Sequence, residues 1–442
     1  MTTTTEQLSA TTLLRFATAG SVDDGKSTLV GRLLHDSKSV LTDQLEAVVR
    51  VSAGRGQEAP DLALLTDGLR AEREQGITID VAHRYFATAR RRFILADTPG
   101  HVQYTRNMVT GASTADLAVV LVDARNGMVE QTRRHTAVAA LLRVPHVVLA
   151  VNKMDLVGYQ ERVFARIAEE FTAYAASLGV ENVVAIPLSA LAGDNVVEPS
   201  TRMDWYGGRT LLEHLETVPV GSDPRAEHAR FPVQYVIRPR TAERPDYRGY
   251  AGQIASGVLR VGDPVTVLSS GRTTSVAAID ALGRQTDVAW APQSVTVRLT
   301  DDVDISRGDM IAAGGTAGAP TKDVAASVCH LNERPLHIGD KVLVKHTTRT
   351  VRAVVQDIAY RIDISTLERR PGAQELQVND IGHVVLRTAE PLALDPYADN
   401  RRTGSFLLID PDDGTTLAAG MAGEPFVTAR RGPGTAGEEG WT

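Results

Sequence analysis

Cysteine is almost missing from this sequence, and further absences narrow the range of functions. Cys329 is the only cysteine among 442 residues, so a disulfide framework and a cysteine metal site are both excluded, and a reducing cytosol fits. A positive charge excess is also missing, because the formal net charge is -7, which disfavours nucleic acid as the main ligand. No apolar run is long enough to cross a bilayer, and residues 1–5 lack the basic start and apolar core of a secretory signal. These absences predict a soluble cytoplasmic protein without membrane contact.

Glycine, in contrast, frames the stretch on which the predicted chemistry depends. Residues 20–27 have the pattern Gly-x4-Gly-Lys-Ser between an apolar run at 13–19 and a helix-like run at 28–34, which argues against a chance match in a glycine-rich turn. Such a loop suits a triphosphate, because backbone N–H groups curl around the anion and the helix N-terminus adds its positive dipole end. Lys26 supplies a mobile positive charge and Ser27 a hydroxyl for Mg²⁺. The predicted phosphate-binding residues are Gly20, Ser21, Val22, Asp23, Asp24, Gly25, Lys26, Ser27 and Thr28.

The hydrophobic pattern changes along the chain and predicts three domains. Apolar runs alternate with amphipathic stretches through residues 12–218, which predicts an α/β domain with a doubly wound, mostly parallel sheet and a ligand site at its carboxyl strand ends. An unusually long connection at 35–80 interrupts this alternation. A Pro- and Gly-containing linker is predicted at 219–228, and short β-type runs then predict two all-β barrel domains at 229–315 and 321–427. Residues 428–442 are predicted to be a disordered tail.

Asp97 and the residues after it are predicted to meet Mg²⁺ and the terminal phosphate. The segment Asp97-Thr98-Pro99-Gly100-His101 follows a predicted strand, where a carboxylate can hold Mg²⁺ through water and Gly100 lets a backbone N–H approach the γ-phosphate. Asp-x-x-Gly alone is more often a turn, and the neighbouring phosphate loop favours the metal interpretation. His101 is then placed to orient the attacking water, although a lone histidine more often packs or caps.

Thr78 completes the predicted hydrolysis site. It ends the long connection, where its hydroxyl could ligate Mg²⁺ and meet the γ-phosphate, so that the connection orders with triphosphate and loosens after hydrolysis. The alternative is a β-branched residue that simply opens the following strand. The predicted metal ligands are Ser27, Thr78 and Asp97, and the predicted catalytic residues are His101, Lys26 and Thr78.

The segment Asn152-Lys153-Met154-Asp155 predicts recognition of guanine. It follows an apolar strand, and the Asp155 carboxylate can accept hydrogen bonds from N1–H and the 2-amino group of guanine, neither of which adenine offers. Asn152 can bond the base edge and stabilise the loop, whereas the alternative for both residues is an Asx turn at a helix N-cap. At the next strand end, backbone N–H groups of Ser189, Ala190 and Leu191 can support the ring. The expected ligands are therefore GTP and Mg²⁺.

Together these motifs resemble the translational-type GTPases, from the phosphate loop through both β regions. The stretch at 248–263 resembles their second domain, and elongation factors usually have histidine where Ser21 stands. Within that group the sequence is most similar to the GTPase subunits of bacterial sulfate adenylyltransferases, through residues 20–28, 76–86, 101–108, 123–127, 131–135 and 400–406. The resemblance implies an α/β P-loop GTPase domain followed by two β-barrel domains.

The resemblance also implies an activity and a partner. GTP hydrolysis on this chain would drive sulfate adenylylation, in which ATP and sulfate give adenylylsulfate and pyrophosphate, on a separate catalytic subunit. The coupling is physically sensible, because forming a phosphosulfate anhydride is uphill and a switch that reorganises on hydrolysis can act on a partner's active site. Some relatives carry a fused adenylylsulfate kinase, which would need a second Gly-x4-Gly-Lys-Ser/Thr. The sequence contains no second copy, so that activity is not expected here.

Two other functions stay open at this point: an elongation-factor-like carrier of aminoacyl-tRNA, and a regulatory GTPase that acts only as a binding switch. The carrier is supported by the shared architecture and by arginines that could touch RNA, namely Arg230, Arg238, Arg240, Arg244 and Arg248. Glu243 and Asp246 are interspersed among them, which instead predicts a solvated face. Salt-dependent tRNA binding would favour the carrier, whereas sulfate-dependent pyrophosphate release with a partner would favour sulfate assimilation.

Overall fold

The computed structural model describes residues 13–40, 42–54, 60–65, 80–101, 105–220, 227–239, 247–424 and 426. Thr78, Arg240, Arg244, the predicted tail and most of the predicted linker lie outside these described residues. Within the described ranges, no helix combines the length and the apolar character that crossing a membrane requires.

A mostly parallel sheet forms the N-terminal part of the described chain. Its strands are β1 (Leu13–Ala19), β2 (Ala82–Ala87), β3 (Arg92–Asp97), β4 (Leu117–Asp123), β5 (His146–Asn152) and β6 (Val183–Pro187). Their spatial order is β2-β3-β1-β4-β5-β6, and only the β2–β3 pair among them is antiparallel. Every residue of β4 is buried, as expected for a central strand whose two faces are both covered. The sheet confirms the predicted α/β fold.

Helices cover this sheet and part of the long connection. They are α1 (Lys26–Asp36), α2 (Thr42–Gly54), α3 (Thr105–Ala112), α4 (Glu130–Leu141), α5 (Glu161–Ser177) and α6 (Leu211–Thr217), with short 3₁₀ turns at Leu62–Leu65 and Met154–Val157. The first 3₁₀ turn packs on α1 at Gly31, where a Cβ atom would overlap the Leu62 carbonyl. The long connection therefore contains ordered structure that holds it against the helix of the phosphate loop.

Antiparallel strands follow in the rest of the chain that the structure describes. The first group is β7 (Arg230–Pro232), β8 (Tyr235–Ile237), β9 (Gly249–Gln253), β10 (Val258–Arg260), β11 (Pro264–Val267), β12 (Arg272–Ala281), β13 (Arg284–Thr286), β14 (Val288–Trp290), β15 (Ser294–Leu299) and β16 (Met310–Ala313). The second group is β17 (Thr321–His330), β18 (Leu336–His337), β19 (Lys341–His346), β20 (Arg349–Ile362), β21 (Arg369–Pro371), β22 (Glu375–Leu376), β23 (Ile381–Leu392), β24 (Ser405–Ile409) and β25 (Thr416–Ala422). In the second group the order β19-β24-β25-β17-β23-β20 closes through a further β19–β20 pairing, which makes it a barrel.

One apolar run of the first β group is divided between two strands. Residues 231–237 belong to the short β-type runs that predict the first barrel domain, and in the structure they are shared by β7 and β8. At the break, the Val233 N–H donates to the Asp309 carbonyl at 2.8 Å and the next N–H, from Gln234, donates to the Ala251 carbonyl at 2.9 Å. The chain thus changes its pairing partner in the middle of the run, a tertiary choice that the apolar pattern does not encode.

The interpretation of these arginines as a solvated face is wrong in part. Arg230 is only 4% exposed, and its guanidinium pairs with Asp395 of the second β group at 2.9 Å. Arg248 forms ion pairs with Asp302 and Asp304. These two arginines are committed to intramolecular carboxylates, so they do not form an open cationic surface for RNA.

The N-terminal α/β part also packs against the barrel of the second β group, which is called the distal barrel below. The Tyr397 hydroxyl donates to the Leu142 carbonyl at 2.9 Å, just after α4, and Arg401 donates to the Ser113 carbonyl at 2.9 Å, just after α3. Arg134 of α4 donates in turn to the Asn379 carbonyl at 3.2 Å. Because α3 follows the segment that contains His101, these contacts connect the predicted hydrolysis site to the distal barrel.

Candidate functional site

The glycine loop after β1 surrounds the ammonium group of Lys26. This side chain is 7% exposed, and its Nζ donates to the carbonyl oxygens of Gly20 at 2.9 Å and Ser21 at 2.8 Å. Burial lowers the pKa of Lys26, while the charges of Asp24 and Asp97 act in the opposite direction. The loop therefore holds a buried cation at its centre, bonded to two of its own carbonyl oxygens.

Asp24 stiffens the same loop from inside. Its carboxylate accepts a hydrogen bond from the Ser21 N–H at 2.5 Å, and the residue is 5% exposed. Burial raises the pKa of Asp24, and the hydrogen bond from Ser21 opposes that effect. Gly25, which follows, has a φ of 93°, and a Cβ atom there would come within 2.5 Å of the Asn152 amide nitrogen. Both the left-handed conformation and the close approach require glycine at this position.

Asn152 joins three loops. Its amide nitrogen donates to the Asp24 carbonyl at 2.7 Å, and its amide oxygen accepts the Ala190 N–H at 2.9 Å. The side chain is 2% exposed, so both bonds are shielded from water. Ser189 is fully buried, whereas Leu191 is 70% exposed. Asn152 thus links the two strand ends that carry predicted base-binding residues, and both polar atoms of its amide bond to the protein backbone.

Lys153 reaches back from the end of β5 to the glycine loop. Its Nζ donates to the Asp23 carbonyl and pairs with the Asp123 carboxylate at 3.0 Å. The residue has a φ of 64°, a left-handed conformation that begins the following 3₁₀ turn. This turn contains Asp155, whose carboxylate acts electrostatically on Arg125, a residue that lines the cavity described below.

Asp155 carries an unused acceptor. Its Oδ1 atom is buried and has no hydrogen-bond partner among the described residues. A buried carboxylate oxygen without a donor is costly, so it indicates a group that a ligand satisfies. Two N–H donors on the edge of guanine meet that need, whereas the corresponding edge of adenine does not.

A cavity of 480 Å³ opens between the glycine loop and residues of three other segments, namely Gly100, His101, Arg125 and Lys153. Its lining is made of Val22, Asp23, Gly25, Lys26, Ser27, Thr28, Ala63, Gly100, His101, Arg125 and Lys153. Gly100 lies against the Lys26 ammonium and the Gly20 carbonyl, so close that a Cβ atom would overlap both. His101 therefore lies in the same cavity as the phosphate loop.

Asp97 ends β3 behind this cavity. It is 1% exposed, and its Oδ1 accepts a hydrogen bond from the Thr18 hydroxyl at 3.0 Å. The carboxylate of Asp97 and the hydroxyl of Ser27 are hard oxygen donors of the type that Mg²⁺ takes together with phosphate oxygens. The described residues therefore fit the predicted cation. Thr78, the remaining predicted ligand, lies outside the described residues.

Asp123 and Arg125 are neighbours of the predicted site residues that the sequence analysis did not select. Asp123 is the last residue of β4 and pairs in register with Asn152 of β5. Burial raises its pKa, but hydrogen bonds from Arg125 and Lys153 outweigh that effect and bring the pKa to about 2. The available signal was that two apolar strands of equal length end in Asp123 and Asn152, which parallel pairing brings side by side.

Comparisons with known proteins agree with this geometry. The elongation factor Tu GTP binding domain family matches residues 11–219, and the GTP-eEF1A C-terminal domain-like family matches residues 323–422. The chain is 58% identical over 412 residues to the bifunctional enzyme CysN/CysC of Mycobacterium tuberculosis H37Rv, covering 93% of this chain and 67% of that protein. It is 49% identical over 423 residues to sulfate adenylyltransferase subunit 1 of Cellvibrio japonicus, covering 95% and 89%, and 51% identical over 411 residues to that of Bacteroides fragilis, covering 92% and 85%.

Proposed function

Because the chain belongs to the sulfate adenylyltransferase subunit 1 family, we propose that it hydrolyses GTP and that this hydrolysis drives the formation of adenylylsulfate on a partner subunit. The observation that carries the nucleotide assignment is the buried, unpartnered Oδ1 of Asp155. Asp155 lies in the 3₁₀ turn Met154–Val157 that follows β5, where the edge of a guanine would supply the missing donors.

The chain's own residues divide the work on GTP. The loop amides and Lys26 hold the phosphates, and Asp155 reads the base. Ser27 and Asp97 would hold Mg²⁺, which when bound would supply positive charge to offset that of the phosphates. His101 orients the water that attacks the γ-phosphate. Thr78 is proposed as a further ligand of the cation.

The described site accounts for one nucleotide. It contains one glycine loop, one base reader and one predicted cation site, so ATP and sulfate are proposed to react on the catalytic, adenylyl-transferring subunit. The two proteins would act in the cytoplasm, where a chain with a single cysteine is not exposed to disulfide formation. Linkage requires that ligands of the partner change the affinity of this chain for GTP.

Reconstitution of the chain with that catalytic subunit tests the proposal. We expect the isolated chain to hydrolyse GTP slowly and to make no adenylylsulfate. With the partner, GTP turnover rises and adenylylsulfate accumulates beyond the level that ATP and sulfate alone sustain, while Lys26→Ala loses the excess. Equal yields with GTP and with a non-hydrolysable GTP analogue would refute the coupling, as would adenylylsulfate made by the isolated chain.

A further inference from the structure

Arg125 follows β4 and lies on the wall of the nucleotide cavity. Its guanidinium approaches Asp123 side-on, with Nε 3.0 Å from Oδ1 and Nη2 2.6 Å from Oδ2. The backbone N–H of Arg125 also donates to Oδ1 at 2.9 Å. Asp123 is 2% exposed, so the orientation of Arg125 is fixed by a rigid, buried anchor.

The other end of this guanidinium is unused. Nη1 has no hydrogen-bond partner among the described residues, and the side chain is 49% exposed. A guanidinium can hold one oxygen group with its side edge and a second with its end. Lys153 has less to offer a ligand, because its ammonium already bonds the Asp23 carbonyl and the Asp123 carboxylate.

The charges around the cavity make a further cation important. The carboxylates are Asp23, Asp24, Asp97, Asp123 and Asp155, and the cations are Lys26, Lys153 and Arg125. Two of these carboxylates, Asp23 and Asp24, belong to the phosphate loop itself. A polyphosphate that enters this acidic surrounding gains from each cation that can turn a donor toward it.

We propose that Arg125 is a nucleotide-contacting residue, whose Nη1 donates to a phosphate oxygen of the bound guanine nucleotide while Asp123 holds the guanidinium in place. The inference rests on the proposed function, because it takes the ligand of the cavity to be GTP or GDP. It assigns the Asp123–Arg125 pair to the phosphate chain and leaves base selection to Asp155.

Equilibrium binding to the full chain in excess Mg²⁺ tests this contact. The ligands are GDP, a non-hydrolysable GTP analogue and guanosine, the last measured by competition. We expect Arg125→Gln to weaken GDP and the GTP analogue about tenfold each, the value of one hydrogen bond between charged groups. Guanosine, which has no phosphate, should bind Arg125→Gln as it binds the wild type. The affinities of Arg125→Lys for GDP and the analogue should lie between those of the wild type and Arg125→Gln, since lysine keeps the positive charge and loses the forked guanidinium.

Arg334 provides a matched control in the distal barrel. It is 52% exposed and pairs with the buried Asp410 at 2.6 Å, as Arg125 pairs with Asp123 at 2.6 Å, but it does not line the cavity. Arg334→Gln should leave all three affinities unchanged and shift thermal stability about as much as Arg125→Gln does. The proposal is overturned if Arg125→Gln binds GDP and the analogue within twofold of the wild type, or if guanosine weakens equally. A wild-type chain that binds no guanine nucleotide would instead overturn the proposed function.

Discussion

The amide nitrogen of Asn152 donates to the carbonyl of Asp24 at 2.7 Å. This single bond ties the end of β5, which precedes Asp155, to the phosphate loop. The same amide group accepts the Ala190 N–H on its other side. One side chain therefore sets the spacing between the surfaces expected to bind the base and the phosphates.

Asn152→Asp separates the two functions of that amide. The aspartate keeps an acceptor for the Ala190 N–H but loses the donor to the Asp24 carbonyl and brings a negative charge against it. We expect GDP and GTP affinity to fall about tenfold or more, with guanine still preferred over adenine, because Asp155 is unchanged. Titration with fluorescent nucleotides checks this, with Asn152→Ala as the variant that loses both bonds. Unaltered affinity in Asn152→Asp would show that the Asp24 contact is dispensable.

Asp155→Asn should change the preferred base. An amide can donate to the 2-oxo group that replaces the 2-amino group in xanthine, so preference should move from GTP toward xanthosine triphosphate. We expect the ratio of the two affinities to change by about 100-fold or more, as for sites built around specific hydrogen bonds. A competition assay measures the ratio, and Asp155→Ala, which can serve neither base, is the control. Unchanged selectivity would remove the guanine assignment.

His101→Ala should affect hydrolysis far more than binding. His101 lies in the cavity beside Gly100, so its loss leaves the phosphate loop and base reader intact. GTP affinity should stay within a few-fold, while single-turnover hydrolysis slows by on the order of a hundredfold, the usual effect of losing a proton-transfer or water-orienting group. Equal hydrolysis rates would show that another residue orients the water.

His135 should make the fold sensitive to acid. It is 1% exposed in α4, and burial, with smaller effects from Lys26 and Arg134, lowers its pKa to about 3. Below the ordinary pKa of histidine, His135 binds a proton in the unfolded chain but not in the folded chain. Stability is therefore lost as the pH falls from about 6.5 to 3. His135→Gln should reduce the slope of unfolding free energy against pH by up to about 1.4 kcal/mol per pH unit.

Urea unfolding at a series of pH values measures that slope. His337→Gln is the control, because His337 is half exposed and lies beside Asp340 and Glu375. The control should not flatten the profile. If His135→Gln has the same slope as the wild type, the acid sensitivity of the protein comes from other groups.

The parts of the site that the sequence predicts are those that a contiguous motif specifies. The glycine loop is marked by the left-handed conformation at Gly25. The carboxylates of Asp97 and Asp155 follow apolar runs that end at the same edge of a parallel sheet. The α/β and all-β fold classes follow equally from hydrophobic period. The domain boundaries chosen from composition stay a prediction.

What the sequence analysis missed depends on tertiary pairing. Asp123 lies next to the Lys153 ammonium only because β4 pairs with β5, and the role proposed for Asp123 and Arg125 depends on that pairing. Arginine is usually exposed, but Arg230 is buried because Asp395, which is distant in sequence, neutralises its charge. The division of the run at 231–237 has the same origin, since two different strands supply its partners.

The shared packing of α4 and the distal barrel has a practical consequence for anyone who wishes to study the nucleotide-binding part alone. Ala137 and Leu141 belong to one apolar cluster with Ile381 and Met421, although more than two hundred residues separate the two pairs along the chain. A fragment that ended near residue 220 would turn that face of α4 toward water, and exposed apolar surface of this kind promotes self-association. Solubility of such a fragment would call for polar replacements on α4, so its nucleotide affinity would describe a redesigned surface rather than the native enzyme.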